Sequence, residues 1–167
     1  MKRPTITNLT HTIFPLVLAV ALTACATTPG TNSLPETTVN AATTSQTLVL
    51  TLRGTPAKTT VGAIDVTIEI PEGVSVHAQK NGLIESDVIS TPPASTRPFS
   101  TGKFSNKTLR VALISTTGLS SGEVMLIKLN VTGGHVPRAE SFRVTSSQVV
   151  DLNGINVTGT SFDFAVR

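Results

Sequence analysis

Few residues in this chain could carry out chemistry, and their spacing narrows the field. Gly118-Leu119-Ser120-Ser121-Gly122 has the Gly-x-Ser-x-Gly spacing of a nucleophile elbow, with Ser120 as the would-be nucleophile. An elbow stands between a strand and a helix whose N-terminus supports the oxyanion. Here a strand-like run from Val124 to Val131 follows instead, so a hairpin turn is the better reading. Asp151 and Asn153 set two oxygen ligands around a tight turn, which would begin a calcium site. The rest of an EF-hand loop is missing, and Asn153-Gly154 accounts for the same residues as a hairpin turn. His77 and His135 stand at no recognisable zinc spacing from Cys, Asp or Glu, and read as a solvated strand residue and a loop residue. A glycosidase needs two carboxylates flanking one bond. Asp65, Glu69, Glu85 and Glu123 are available, but nothing in the pattern selects a pair, and Asp65 and Glu69 read as a solvated strand face. No catalytic residue and no cofactor is expected from these residues, and they leave the ligand-binding residues unassigned.

The most specific chemistry lies at Cys25, the single cysteine of the chain. With no second thiol there is no intrachain disulfide, and the fold must rest on its core. The chain opens on Lys2 and Arg3, runs uncharged from Ile13 to Leu22, and reaches small residues before Cys25, the layout of a secretory signal. That apolar run is too short to span a bilayer comfortably. Leu22-Thr23-Ala24-Cys25 resembles the lipobox of bacterial lipoproteins. The resemblance implies diacylglycerol on the Cys25 sulfur, cleavage that removes residues 1–24, and a third acyl chain on the freed amine. At about 0.8 kcal/mol per buried methylene, three chains anchor a protein firmly to a lipid bilayer. Ala26 follows where an aspartate would resemble an inner-membrane retention signal, so the outer membrane is the expected destination over the inner membrane. The competing reading is an uncleaved N-terminal helix with an incidental cysteine.

Cleavage would take 13 basic groups to 11 against 10 acidic ones, leaving a nearly neutral protein. No cluster of Lys or Arg interleaved with aromatics is present to follow a phosphate backbone, so nucleic acid is not an expected partner. Residues 25–46 comprise the lipidated cysteine and a stretch of Thr, Ala, Ser, Asn, Pro and Gly that buries too little to order itself, a flexible linker. Residues 47–167 have the length of one domain with one core.

That domain reads as all-β. Leu48, Leu50 and Leu52 alternate with Val49, Thr51 and Arg53, and Ile64, Val66, Ile68 and Ile70 alternate with Ala63, Asp65, Thr67 and Glu69. Pro71-Glu72-Gly73 then supplies a turn before Val74 and Val76, which predicts a hairpin. Further strands are predicted at Leu109 to Ser115, Val124 to Thr132 and Ser141 to Val150, punctuated by Gly118, Ser120-Ser121-Gly122 and Gly133-Gly134. Ile155 and Val157 share one parity while Phe162, Phe164 and Val166 share the other, so a bulge or strand change is expected near Gly159. Residues 80–107 are the weakest region, with a short strand or helical turn at Leu83 to Ile89 and three prolines before Phe99; they read as a functional loop or a crossover. The asparagines Asn106, Asn130 and Asn156 fit a glycosylation pattern, but beside a lipobox they read as turn and edge residues. Seven or more strands at this spacing predict a two-sheet antiparallel β-sandwich.

Gly62-Ala63-Ile64-Asp65-Val66-Thr67-Ile68 leading into Ile70-Pro71-Glu72-Gly73-Val74, then Leu109-Arg110-Val111-Ala112-Leu113, Gly122-Glu123-Val124 and Asp151-Leu152-Asn153-Gly154, occur in an order and spacing similar to the cohesin family. This resemblance covers Thr47 to Arg167 and implies a jelly-roll-like sandwich of about nine strands that acts as a receptor. In that family one sheet face and its loops bind dockerin modules, which assembles polysaccharide-degrading enzymes. The chain departs from the family in having no Tyr and no Trp, so its binding hot spots must be built from other residues. The expected function is a non-enzymatic, membrane-tethered module recruiting a dockerin-like protein partner. Two alternatives stand beside it: direct polysaccharide binding, with Phe99, Phe104, Phe142, Phe162 and Phe164 expected mostly in the core, and a structural cell-envelope component using a sheet edge.

Overall fold

Period-two alternation of aliphatic and polar residues makes strands that are wet on one face and dry on the other, and two such sheets must meet dry face to dry face. The computed structural model describes residues 42–92 and 98–167. In them lie nine strands: β1 (Thr43–Arg53), β2 (Val61–Glu69), β3 (Val74–Ser75), β4 (Ile89–Ser90), β5 (Phe99–Ser105), β6 (Thr108–Leu119), β7 (Gly122–Thr132), β8 (Arg143–Asp151) and β9 (Ser161–Val166). A short 3-10 turn, Ala139–Ser141, precedes β8. One sheet runs β3-β7-β1-β9, with β4 also pairing β7; the other runs β5-β6-β2-β8. Neighbouring strands are antiparallel in both.

The predicted inward sets meet in one core. Leu48, Leu50 and Leu52 face Ile64, Val66, Ile68 and Ile70, joined by Leu109, Val111 and Leu113 and by Met125, Ile127 and Leu129, all essentially withdrawn from water. Phe142 and Phe164, with ring centroids 5.9 Å apart, and Val144 pack on this core from the side where β8 and β9 form the sheet edges. Ser115 is the one buried polar residue among the described residues. Its hydroxyl accepts from the Gly118 N–H at 3.0 Å and lies 3.2 Å from the Gly118 carbonyl, to which it donates.

Several expectations change in three dimensions. The turn at Pro71-Glu72-Gly73 does not close a hairpin: β2 belongs to the four-stranded sheet, while β3 pairs β7 in the other, so the turn carries the chain across the sandwich. The same holds for Ser120-Ser121, which links β6 to β7 in opposite sheets. Gly118 does not end a strand, because β6 continues to Leu119 around an irregularity in its pairing with β2. β1 begins at Thr43, taking the last residues of the expected linker, 43–46, into pairing with Leu129 to Thr132. The phase change near Gly159 is a strand change: β8 lies in one sheet and β9 in the other.

The described parts of residues 80–107, 80–92 and 98–107, include a strand, β5, that the sequence pattern does not predict. Gln79 to Gly82 makes a tight turn, Ile84 N–H donates to the Gly102 carbonyl at 3.0 Å, and Phe104 N–H to the Gly82 carbonyl at 2.8 Å, covering the edge of β5. Ile89 and Ser90 then pair with Ile127 and Leu126 on the opposite sheet. β5 escaped the pattern because Gly102 occupies a buried position where side-chain atoms of Ile84, Ile89 and Val111 already fill the space.

Gly62 marks a bulge, since the register of β2 shifts between Val61 and Ala63 against both of its neighbours. A Cβ there would stand 2.6 Å from the Asp151 carbonyl oxygen and 2.9 Å from Leu152 Cα. Backbone cannot swing aside as a side chain can. Gly62→Ala is therefore expected to lower the unfolding free energy by about 1–3 kcal/mol in urea titration.

Candidate binding surface

The register of the four-stranded sheet fixes what its solvent face displays. Phe99 is opposite Ile114, Ile114 opposite Ala63, and Ala63 opposite Val150, so one row across all four strands is apolar. Phe99 is 66% exposed and Ile114 50%. The next row is Thr101, Ala112, Asp65 and Gln148, and the one after it Lys103, Arg110, Thr67 and Ser146. Strand geometry forces this display: Ala63 and Asp65 point outward because Ile64 and Val66 point inward.

Among the described residues, three open hollows lie along this face. One of about 450 Å³ lies among Ala63, Ile114, Val150 and Leu152. A second, of about 230 Å³, adjoins it at Asp65, Ala112 and Gln148. The third, of about 280 Å³, is bounded by Leu83, Thr101, Lys103 and Arg110. Pockets for small ligands enclose most of the ligand's surface. These hollows are shallow and continuous, a shape that fits side chains of another macromolecule. Moving the exposed parts of Phe99 and Ile114 out of water on contact would contribute about 1–2 kcal/mol each.

A single ion pair organises the polar part. Arg110 Nε donates to Asp65 Oδ1 at 3.0 Å and Nη2 to Oδ2 at 2.6 Å, a two-pronged clamp on the outer face. The hydrogen bonds and charge of Asp65 raise the pKa of Arg110 further above its ordinary value, so the guanidinium is a fixed cation.

The residues singled out by sequence are scattered. Cys25 lies outside the described residues. Ser120 sits exposed in the β6–β7 turn, where the strand β7 follows directly. His77 is exposed with Nε2 3.6 Å from Glu85 Oε2, and His135 is exposed in the loop after β7. Glu123 pairs with Arg167 on the other sheet, away from Asp65. Asp65 and Glu69 are separated along one strand by about 13 Å at 3.3 Å per residue, beyond the spacing of either glycosidase geometry. Asn106 and Lys107, both at positive φ, form the β5–β6 hairpin turn as expected of Asn106. Asn130 is a correction: it lies inside β7, paired with both Ser45 and Ser75, so it is not an edge residue. Phe99 is a second correction, since it stands on the surface, whereas Phe104, Phe142, Phe162 and Phe164 pack on or in the core.

Asp151 serves the backbone. Its Oδ1 accepts from the N–H groups of Asn153 at 2.8 Å and Ile155 at 2.9 Å, closing the turn that Gly154 completes at φ +79°. Among the described residues no group of three or more His, Cys, Asp or Glu gathers.

The face could have been anticipated in part. Ile114 sits at outward parity between Leu113 and Ser115, an aliphatic side chain where a solvated strand would carry a polar one. Its partnership with Phe99, Ala63 and Val150 required the register.

Fold and face together define a two-sheet antiparallel β-sandwich with an open, partly apolar sheet surface. Among solved structures the chain is similar to the non-cellulosomal cohesin from the hyperthermophilic archaeon Archaeoglobus fulgidus, at 10% sequence identity over 71% of this chain and 75% of that chain, with a TM-score of 0.46. No protein-family model matches the chain. No curated protein matches it.

The Asp151 hydrogen bonds, that of Ile155 foremost, hold its carboxyl below the usual carboxylate range. Stabilisation from a depressed carboxyl is present above the unfolded-state pKa and is lost as pH falls through the folded-state one. Asp151→Ala is expected to melt below wild type near neutral pH. Thermal scans at decreasing pH should show the two curves converge in strongly acidic buffer.

Proposed function

We propose that this protein is a non-catalytic binding module that recruits a protein partner on the solvent face of its four-stranded sheet. The apolar row Phe99, Ile114, Ala63 and Val150 carries the reading, because it stands outside the core cluster, with Phe99 exposed and the other three lining a shallow open hollow. The sequence resemblance to cohesins suggests a dockerin-like partner and a link to polysaccharide breakdown. A source genome without paired Asp-x-Asn-x-Asp-Gly loops would remove that partner from consideration.

The tether belongs to the same proposal. Acyl chains on Cys25, after removal of residues 1–24, hold the module to a membrane, the outer one by virtue of Ala26. Confinement of this kind raises the effective concentration of the module near the surface. The apolar row lies near the β1–β2 connection, whereas Thr43 begins β1 at its other end, opposite Thr132. At about 3.3 Å per residue, the ends of β1 are roughly 30 Å apart. Radiolabelled palmitate should enter the wild-type chain and not Cys25→Ala.

Direct sugar binding is the second reading, favoured by the exposed ring of Phe99. One ring offers a short stacking platform.

Affinity capture from envelope extract, with the detergent-solubilised full chain as bait, separates the two. A protein should be retained by wild type and lost with the double variant Phe99→Ser, Ile114→Thr. Retention of the same protein by both baits, or retardation in polysaccharide gels that Phe99→Ala abolishes, would contradict protein docking on this face.

A further inference from the structure

Two cations stand directly opposite each other on the exposed face. Lys103 on β5 and Arg110 on β6 are cross-strand neighbours, an arrangement that destabilises a sheet when both are charged. Arg110 is answered by Asp65, which engages Nε and Nη2 and leaves Nη1 without a bond among the described residues. Lys103 has no ion pair or side-chain hydrogen bond among the described residues. One carboxylate thus serves two adjacent cations, and the local charge is positive.

The hollow beside them has uncharged residues on its other sides, Leu83 and Ala112 being aliphatic. Leu83, Thr101, Gly102 and Ala112 line it with Asp65, Lys103 and Arg110. Leu83 is placed deliberately: its N–H donates to Asn81 Oδ1 at 2.9 Å in the tight turn, and it bridges to Lys103 at the edge of β5. The Asp65 clamp fixes Arg110 in advance, so less freedom is lost when a ligand binds.

Resting on the docking face proposed above, we infer that this hollow receives an acidic residue of the protein partner. Its carboxylate is shared by Lys103 and Arg110, and an aliphatic side chain of the same segment sits against Leu83 and Ala112. An acidic sugar polymer would offer the same charge, but the hollow gives its ring faces no aromatic side chain to stack on. Phe99 is not among the residues lining the hollow, and the chain has no Tyr or Trp.

The test is fluorescence anisotropy on the detergent-solubilised full chain with a labelled Ser-Leu-Asp-Leu-Glu-Ser peptide. Charge reversal replaces an attraction by a repulsion, so Lys103→Glu should weaken binding about tenfold or more. The Asn/Gln analogue of the peptide should lose a similar factor, and a Lys-substituted peptide should gain affinity for Lys103→Glu. No binding of the acidic peptide, or equal binding of its neutral analogue, would overturn the inference. Displacement by oligogalacturonate at lower concentration than by unlabelled peptide would overturn it in favour of a sugar ligand. Binding that Ile114→Thr abolishes and Lys103→Glu leaves intact would overturn the acidic contact while sparing the docking face.

Discussion

The structure depends on a dry aliphatic layer between two sheets. Leucine, isoleucine and valine supply nearly all of it, with Met125 and Phe142 filling in, and Ser115 is the lone buried polar residue among the described residues. No disulfide can assist, since the chain has a single cysteine. The inward aliphatic positions of β1, β2, β6 and β7 are therefore committed to this layer, and charge is confined to the outer faces and loops.

That commitment makes the outer face informative. A strand residue that points away from the core adds little beyond its cross-strand contacts, so apolar side chains aligned there mark a surface for contact. On the four-stranded sheet they align in one row, while the rows beside them hold Asp65, Arg110 and Lys103. The stretch around Gly82 to Ile84 reinforces the pattern: it hydrogen-bonds along the β5 edge and leaves Leu83 exposed at the rim of the same face. Scaffold and surface are thus built from the same alternation, read on opposite sides of the strands.

Much of the scaffold was legible in the sequence, because clean alternation fixes both the existence of a strand and its buried side. Leu48 to Leu52 and Ile64 to Ile70 show this, and the parity change before Phe162, compatible with a bulge or a strand change, falls where the chain passes to β9 in the other sheet. Connectivity was less legible. Pro71-Glu72-Gly73 and Ser120-Ser121-Gly122 have the chemistry of turns, but a turn that returns along its own sheet and one that crosses to the other use the same residues. β5 was hidden because a glycine holds a core position that a neighbouring isoleucine fills instead. The binding face was the least legible part, since its residues come together only through the register of four strands distant in sequence.

Adjacent residues on β6 allow the division between dry core and displayed face to be measured directly. Leu113 points into the sandwich and Ile114 out of it. In urea unfolding, Leu113→Ala should cost about 2–5 kcal/mol, and Ile114→Thr should stay within about 0.5 kcal/mol of wild type. Equal losses at the two positions would mean that Ile114 belongs to the packed interior, and the exposed apolar row would no longer exist as a surface for a partner.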